Sequence, residues 1–410
     1  MNLITLISVI LLGAMAIEWL LAGLERIQRD VFVVVFCVVA LLFTAKYYYG
    51  PDITTYVPLY AHIGDLGDVA AGHYPISYER GFVVFCALCH SLGMSYWWMT
   101  VVVSLLFFGA IYCLVRRLRY GQVMALALIV VMNPDLIYAQ FRQCLAVSFF
   151  IFAVLMADKR QYVGALLMAL VAMTMHKSAM FMIVPAMVYY TMQPRRIEMS
   201  STGVMLLVLC LLALVPTQSV VESIVDNISG NGSVARSIRM HISFANLRQS
   251  NLLIYGTAIV ALMTFAVGRR GRSGMLAMTM AGLIVIVAFY QYFYLLNRLR
   301  SYFLPFVVVA VIEMGIEARD ERLPWNGLVR QTAKVVVMMF LIYKTVAFDR
   351  NSARDGDVLK MSTVFELTDN TREELMDRQM ERANDFWENA FQKGDDMQYR
   401  SKNYKEQYKN

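Results

Sequence analysis

Apolar stretches separated by short polar or basic clusters recur from the N-terminus to about residue 348, and the chain turns polar and mixed in charge beyond Asp349. A bilayer core of roughly 30 Å needs about 20 apolar residues per helix. On that measure the pattern predicts spans over 3–24, 30–48, 82–113, 122–134, 138–157, 161–175, 178–192, 201–216, 251–268, 275–295, 302–317 and 333–348, about twelve crossings. The expected fold class is all-α, a polytopic membrane helical bundle, because helices satisfy their own backbone groups in lipid. The stretch 82–113 is too long for one span and is interrupted near Gly93, whereas 122–134, 178–192 and 333–348 are short. Broken helices persist at membrane depth only inside protein or beside water, so these segments point to a cavity.

The segment 1–24 lacks a basic leader region and carries Glu18, which predicts a first membrane helix and not a removed signal. Two long loops are expected on the outer side. The first, 49–80, is rich in Gly, Asp, His and Tyr, and the second, 217–250, contains the Ser-Gly-Asn-Gly-Ser run at 229–233. Both have the character of binding loops. Two domains follow: a membrane domain over 1–348 and a polar tail over 349–410, with an amphipathic helix expected near 372–391.

Composition sharpens this. With 59% hydrophobic and 16% charged residues, and a mean hydropathy of +0.53, the chain is too apolar for a soluble globular domain. The net charge of +7 resides in clusters at Arg26/Arg29, Arg116/Arg117/Arg119, Lys159/Arg160, Arg195/Arg196, Arg269/Arg270/Arg272 and Arg319/Arg322. They follow every second span, which assigns them to the cytoplasm and both termini to the outside, and argues for topology signals over nucleic-acid binding. The six cysteines lie in or beside apolar runs and behave as membrane hydrophobes.

Ionisable groups at membrane depth are costly, and their default reading is functional. Asp52 and Tyr56 open the first outer loop, and Glu79 closes it. Arg142 and Gln143 enter the fifth span, His176 and Lys177 end the sixth, and Asn297, Arg298 and Arg300 end the tenth. All fall on the outer face of a topology set from the other basic clusters, so one outward-facing polar site is the economical reading. Arg142, Arg298 and Arg300 offer planar donor forks suited to a diphosphate. Asp52 or Glu79 is placed to take a proton from an attacking hydroxyl. Tyr290, Tyr294, Arg298 and Tyr302 recur every four residues and share one helix face, fit to stack on sugar rings.

Bland readings stand beside these. The tyrosine stripe also fits interfacial packing, the arginines snorkelling anchors, His176 a helix bridge, and Asp52 a turn after Gly50-Pro51. The acidic and histidine residues Asp52, His62, Asp65, Asp68 and His73 match no recognised metal-ligand spacing, and no metal is expected. Cys86-Ala87-Leu88-Cys89-His90 fits the haem-attachment pattern but lies in the apolar run 82–92, where it reads as a chance match.

The order of elements resembles the EpsG family of Wzy-type polysaccharide polymerases. The matching pieces are Asp52 with Tyr56 and Tyr60, Tyr78-Glu79-Arg80-Gly81-Phe82, Phe141-Arg142-Gln143-Cys144-Leu145-Ala146, His176-Lys177-Ser178-Ala179, and Asn297-Arg298 followed by Tyr302. The resemblance implies a GT-C-like membrane enzyme of the bacterial inner membrane with its active site facing outward. It would transfer oligosaccharide repeat units from undecaprenyl diphosphate to the sugar end of a second lipid-linked unit. Arg142, Arg298 and His176 would hold the donor diphosphate, and Glu79 or Asp52 would orient or deprotonate the acceptor. Tyr56, Gln143, Lys177, Tyr294, Asn297, Arg300 and Tyr302 would line the substrate. No cofactor is expected; the expected partners are undecaprenyl-diphosphate-linked oligosaccharides, membrane lipids, a chain-length regulator and a flippase of the same pathway. A flippase for the same lipids and an O-antigen-ligase-type transferase are the rival functions.

Overall fold

Helices α1 (Leu3–Leu20), apolar but for Glu18 near its end, and α2 (Glu25–Thr44), apolar from Val31 onward, pack on each other across a short connection. The Gln28 side-chain amide closes that connection by donating to the Glu18 carbonyl at 2.8 Å, covering one of the last acceptors that a helix leaves unbonded. The computed structural model describes residues 3–21, 23–74, 78–182, 293–313, 326–354, 363–368 and 371–392. The expected spans 201–216 and 251–268, most of 178–192 and 275–295, the loop 217–250 and Tyr290 lie outside the described residues.

Every regular element among the described residues is helical. After α2 come α3 (Ile53–His62), α4 (Leu66–Ala70), α5 (Arg80–Ser91), α6 (Tyr96–Val115), α7 (Gln122–Met132), α8 (Pro134–Tyr138), α9 (Phe141–Asp158) and α10 (Tyr162–Met175). Beyond the 3-10 turn Lys177–Ala179 follow α11 (Phe293–Ile312), α12 (Asn326–Arg354), the 3-10 turn Val364–Thr368 and α13 (Arg372–Gln392). Among the described residues four helices, α1, α2, α6 and α9, are long and apolar enough to cross a bilayer. The fold is therefore that of a helical membrane protein.

The stretch 82–113 is two helices. Gly93, at φ +69°, ends α5 in the left-handed region that side chains avoid, and α6 restarts at Tyr96. The polar set Asn297, Arg298 and Arg300 lies inside α11, so the gap expected between the spans 275–295 and 302–317 is continuous helix from Phe293 on. Leu295, Leu296 and Leu299 are good helix formers and no Gly or Pro interrupts the run before Pro305, so the helix continues through the polar positions.

The chain divides into two compact units. The first comprises Met1–Phe108, Leu126–Cys144 and Gln331–Asn410, and the second Gly109–Ala125 and Leu145–Arg330. In the first unit an aromatic core joins α2 to α6, with Phe108 against Phe36 at 5.9 Å and against Phe43 at 5.2 Å. In the second, Phe150 of α9 meets Phe306 of α11 edge-on at 6.0 Å. There Arg117 pairs with Asp158 at 2.7 Å, tying the end of α9 to the basic cluster after α6.

The polar tail is part of the first unit. Leu375, Gln379 and Ala383 recur every four residues and are buried, while Glu373, Asp377, Glu381 and Asp385 face outward, so α13 carries one apolar stripe. It packs on α3. Arg372 donates to the Tyr47 hydroxyl at 3.0 Å, and the Val364 amide to the Ala45 carbonyl at 2.8 Å. A reciprocal cap starts α13: the Thr371 amide donates to Glu374 at 2.8 Å and the Glu374 amide to the Thr371 hydroxyl at 3.2 Å. The Thr371 amide, and then its hydroxyl, hold the Glu374 carboxyl below the usual carboxylate range. Such a group adds stability above its unfolded pKa and loses it as pH falls through the folded one. Leu375→Asp places a charge in the buried stripe and is expected to release α13 from α3, read as faster proteolysis after residue 354 while the membrane domain stays intact.

Candidate functional site

Each unit holds a polar cluster of its own. In the first, α9 begins at Phe141, so Arg142 sits in the opening turn of an apolar helix, at the end where the chain enters it. Its Nη1 donates to Glu79 Oε2 at 2.6 Å and its Nε to the Tyr56 hydroxyl at 3.3 Å. The guanidinium lies over two rings, Tyr78 at 5.1 Å and Tyr56 at 5.9 Å. Glu79 is the residue before α5, and Tyr56 lies one turn into α3. Side-chain exposure is 23% for Arg142 and 10% for Glu79. Removing one member of an ion pair so shielded leaves the other charge stranded away from water. Arg142 Nη2 hydrogen-bonds no described residue, so the fork is anchored on one side and keeps donors for an anion on the other.

Asp52 precedes α3, and its carbonyl accepts the Tyr56 amide at 3.0 Å. At a spacing of four, Asp52 and Tyr56 lie on one helix face with Cβ atoms about 5–6 Å apart. Asp52 is half-buried. Gln143, next to Arg142, is 1% exposed and packed inside. Tyr56 is wedged between Phe141 at 5.3 Å and Phe82 at 5.9 Å, so its hydroxyl has little freedom to leave Arg142.

The second unit carries a hydrogen-bonded chain. His176 is extended between α10 and the following 3-10 turn, and its Nδ1 accepts the Ser178 amide at 3.1 Å. Because that nitrogen accepts, it bears no proton, and the Ser178 hydroxyl at 2.6 Å donates to it as well. The Tyr302 hydroxyl then completes the chain to Ser178 Oγ at 2.9 Å. The arrangement assigns the neutral tautomer with the proton on Nε2, making His176 a hydrogen-bond donor on its far side. Tyr302 is fully buried and meets Phe150 edge-on at 5.8 Å. Arg300 is buried, Lys177 is exposed, and Tyr294 and Asn297 lie in the first two turns of α11. Ser178→Ala frees the ring to rotate and is expected to lower any activity that depends on His176 about tenfold, with protein level in the membrane unchanged.

The acidic residues of the first loop are engaged locally. Asp65 accepts the Gly67 and Asp68 amides at 2.8 and 3.0 Å, Asp68 accepts the Asp65 amide at 3.2 Å, and together they cap α4. Among the described residues no three His, Cys, Asp or Glu side chains converge as a metal site. Cys86 and Cys89 are buried in α5, and His90 stacks on Tyr60 at 4.1 Å with Nε2 on the Tyr60 carbonyl.

The sequence reading left out Tyr78, Ser178 and Lys46 as site residues. Tyr78 and Ser178 stand within the motifs that carry Glu79 and His176, and their proximity was the available signal. Lys46 ends an apolar run, where a lone lysine reads as a snorkelling anchor.

The EpsG family model matches residues 31–356. The chain belongs to the EpsG family. Both clusters fall within the matched residues, and membership makes this a membrane protein of polysaccharide-polymerase type. No curated protein and no solved structure matches the chain.

Proposed function

We propose that this EpsG-family protein joins lipid-linked oligosaccharide repeat units at the outer face of the bacterial inner membrane, releasing undecaprenyl diphosphate at each transfer. The observation that carries the reading is Arg142, held by Glu79 and Tyr56 on one side with donors left for an anion. In the transfer the acceptor hydroxyl oxygen bonds to the donor's anomeric carbon as the bond to the diphosphate breaks. Charge grows on the leaving oxygens, and a fixed guanidinium in a water-poor site stabilises that charge more than it stabilises the ground state.

Glu79 is committed to Arg142, so we assign it to orienting the cation. Asp52, one turn before Tyr56, then takes the acceptor proton. Gln143 supports the start of α9 from inside the unit. His176, Lys177, Tyr294, Asn297, Arg298, Arg300 and Tyr302 are assigned to the lipid-linked substrates on the family motifs that contain them or adjoin them. Supporting partners are a flippase that delivers repeat units and a regulator that sets chain length.

The test is the pool of lipid-linked sugars in cells lacking the gene. Single repeat units accumulating on the outer leaflet, cured by the wild-type gene, are the expected result; units trapped on the cytoplasmic leaflet would assign a flippase instead. Asp52→Asn, in the same cells, is expected to lower polymer about a hundredfold and to leave single lipid-linked units accumulating as they do without the gene.

A further inference from the structure

Lys46 stands two residues past α2 and is 3% exposed. Its ammonium donates to the Ile137 carbonyl at 2.7 Å and lies over the rings of Phe141 at 5.1 Å and Phe43 at 5.8 Å. Among the described residues no carboxylate pairs with it. Its backbone is pinned from two directions: the Lys46 carbonyl accepts Trp97 Nε1 at 3.0 Å, and an antiparallel bridge joins Lys46 to Thr363 of the tail. Burying an ammonium without a counter-ion is costly, and an apolar residue of the same length would fill the space at less cost. The charge therefore has a task.

The residues it touches indicate the task. Ile137 lies in α8, whose last carbonyls have no helical partner, and α9 restarts three residues after α8 ends. Lys46 satisfies one of those carbonyls and holds the ring of Phe141, the first residue of α9, by a cation–π contact. That ring in turn packs on Tyr56, the residue whose hydroxyl accepts Arg142 Nε. The path from Lys46 to the guanidinium is thus two packed rings and one hydrogen bond, all within the first unit.

We propose that Lys46 is a positioning residue for the transfer reaction: by clamping the Ile137 carbonyl and the Phe141 ring it fixes the start of α9 and, through it, the aim of Arg142. The inference rests on the assignment of Arg142 to the donor diphosphate.

The experiment is a double-mutant cycle in proteoliposomes of the full chain, supplied with lipid-linked repeat units extracted from cells lacking the gene. Wild type, Lys46→Met, Arg142→Lys and the double variant are compared at equal protein. Lys46→Met is expected to lower kcat/KM about tenfold in the wild-type background, and no more than about twofold in the Arg142→Lys background, because a misaimed cation matters only where its fork is needed. Lys46→Arg, which keeps the charge and the donor, is expected to retain most of the activity. An equal loss in both backgrounds, no loss in the first, or a Lys46→Arg protein as impaired as Lys46→Met would overturn the proposal. Where Lys46→Met does not accumulate, Lys46→Gln, which is shorter and carries no cation for the Phe141 ring, takes its place in the cycle with the same expected losses. An Arg142→Lys protein as active as wild type would instead overturn the diphosphate assignment beneath it.

Discussion

Replacing Arg142 by lysine is expected to lower polymer formation about a hundredfold while the protein still inserts and accumulates normally. Lysine keeps the positive charge, so Glu79 retains a counter-ion and the unit keeps its packing. What it loses is the planar fork. One ammonium cannot hold Glu79 Oε2, the Tyr56 hydroxyl and a diphosphate oxygen in the directions that the guanidinium serves together. Arg142→Ala is expected to cost about tenfold more and also to reduce protein level, because it leaves the Glu79 carboxylate, 10% exposed, without its cation. Quantifying polymer per unit of membrane-inserted protein separates the two effects.

The second large effect is on stability. Glu79→Ala strands a shielded guanidinium, and breaking a pair of this kind costs roughly 2–4 kcal/mol, toward the lower end because Arg142 keeps 23% exposure. The detergent-solubilised variant is expected to melt several degrees below wild type. Exchanging the two charges, Glu79→Arg with Arg142→Glu, restores an ion pair between α5 and α9 and is expected to recover most of that stability. Activity is not expected to return, because the cation then sits before α5 and no longer at the start of α9. Recovery of polymer in the exchanged protein would show that only the pair matters, and not the place of its positive member.

The placing of Arg142 at the start of an apolar helix was legible in the sequence, because a charge opening an apolar run marks the end of that run. Its partner was not. Glu79 lies 63 residues away, and no local pattern announces an ion pair between the residue before α5 and the opening turn of α9. Spacing alone could not say which of Asp52 and Glu79 the arginine would claim, and the ion pair to Glu79 is what leads us to propose an orienting role for that carboxylate.

The tail shows the opposite limit. The amphipathic helix expected near 372–391 is α13, but an apolar stripe does not say what it docks on. Only the tertiary contacts with α3 and Tyr47 place it. Asn297 to Arg300 misled for a local reason: polar residues between two apolar runs look like a loop, whereas the leucines among them carry the helix through. The break at Gly93 was readable because length and glycine agreed.

The tail docks on α3, which carries Tyr56, and on Tyr47, so the proposed outward-facing site places the tail outside as well. A C-terminal reporter active only in the extracytoplasmic compartment is expected to be active here, and its activity is expected to persist when fused after residue 392.

The central claim is tested most directly by purified wild-type protein reconstituted with its lipid-linked repeat units and no nucleotide sugar. The account predicts a ladder of polymers and release of undecaprenyl diphosphate one for one with each new linkage, both lost in Arg142→Lys. Intact repeat units moved across the bilayer without a new glycosidic bond would contradict it.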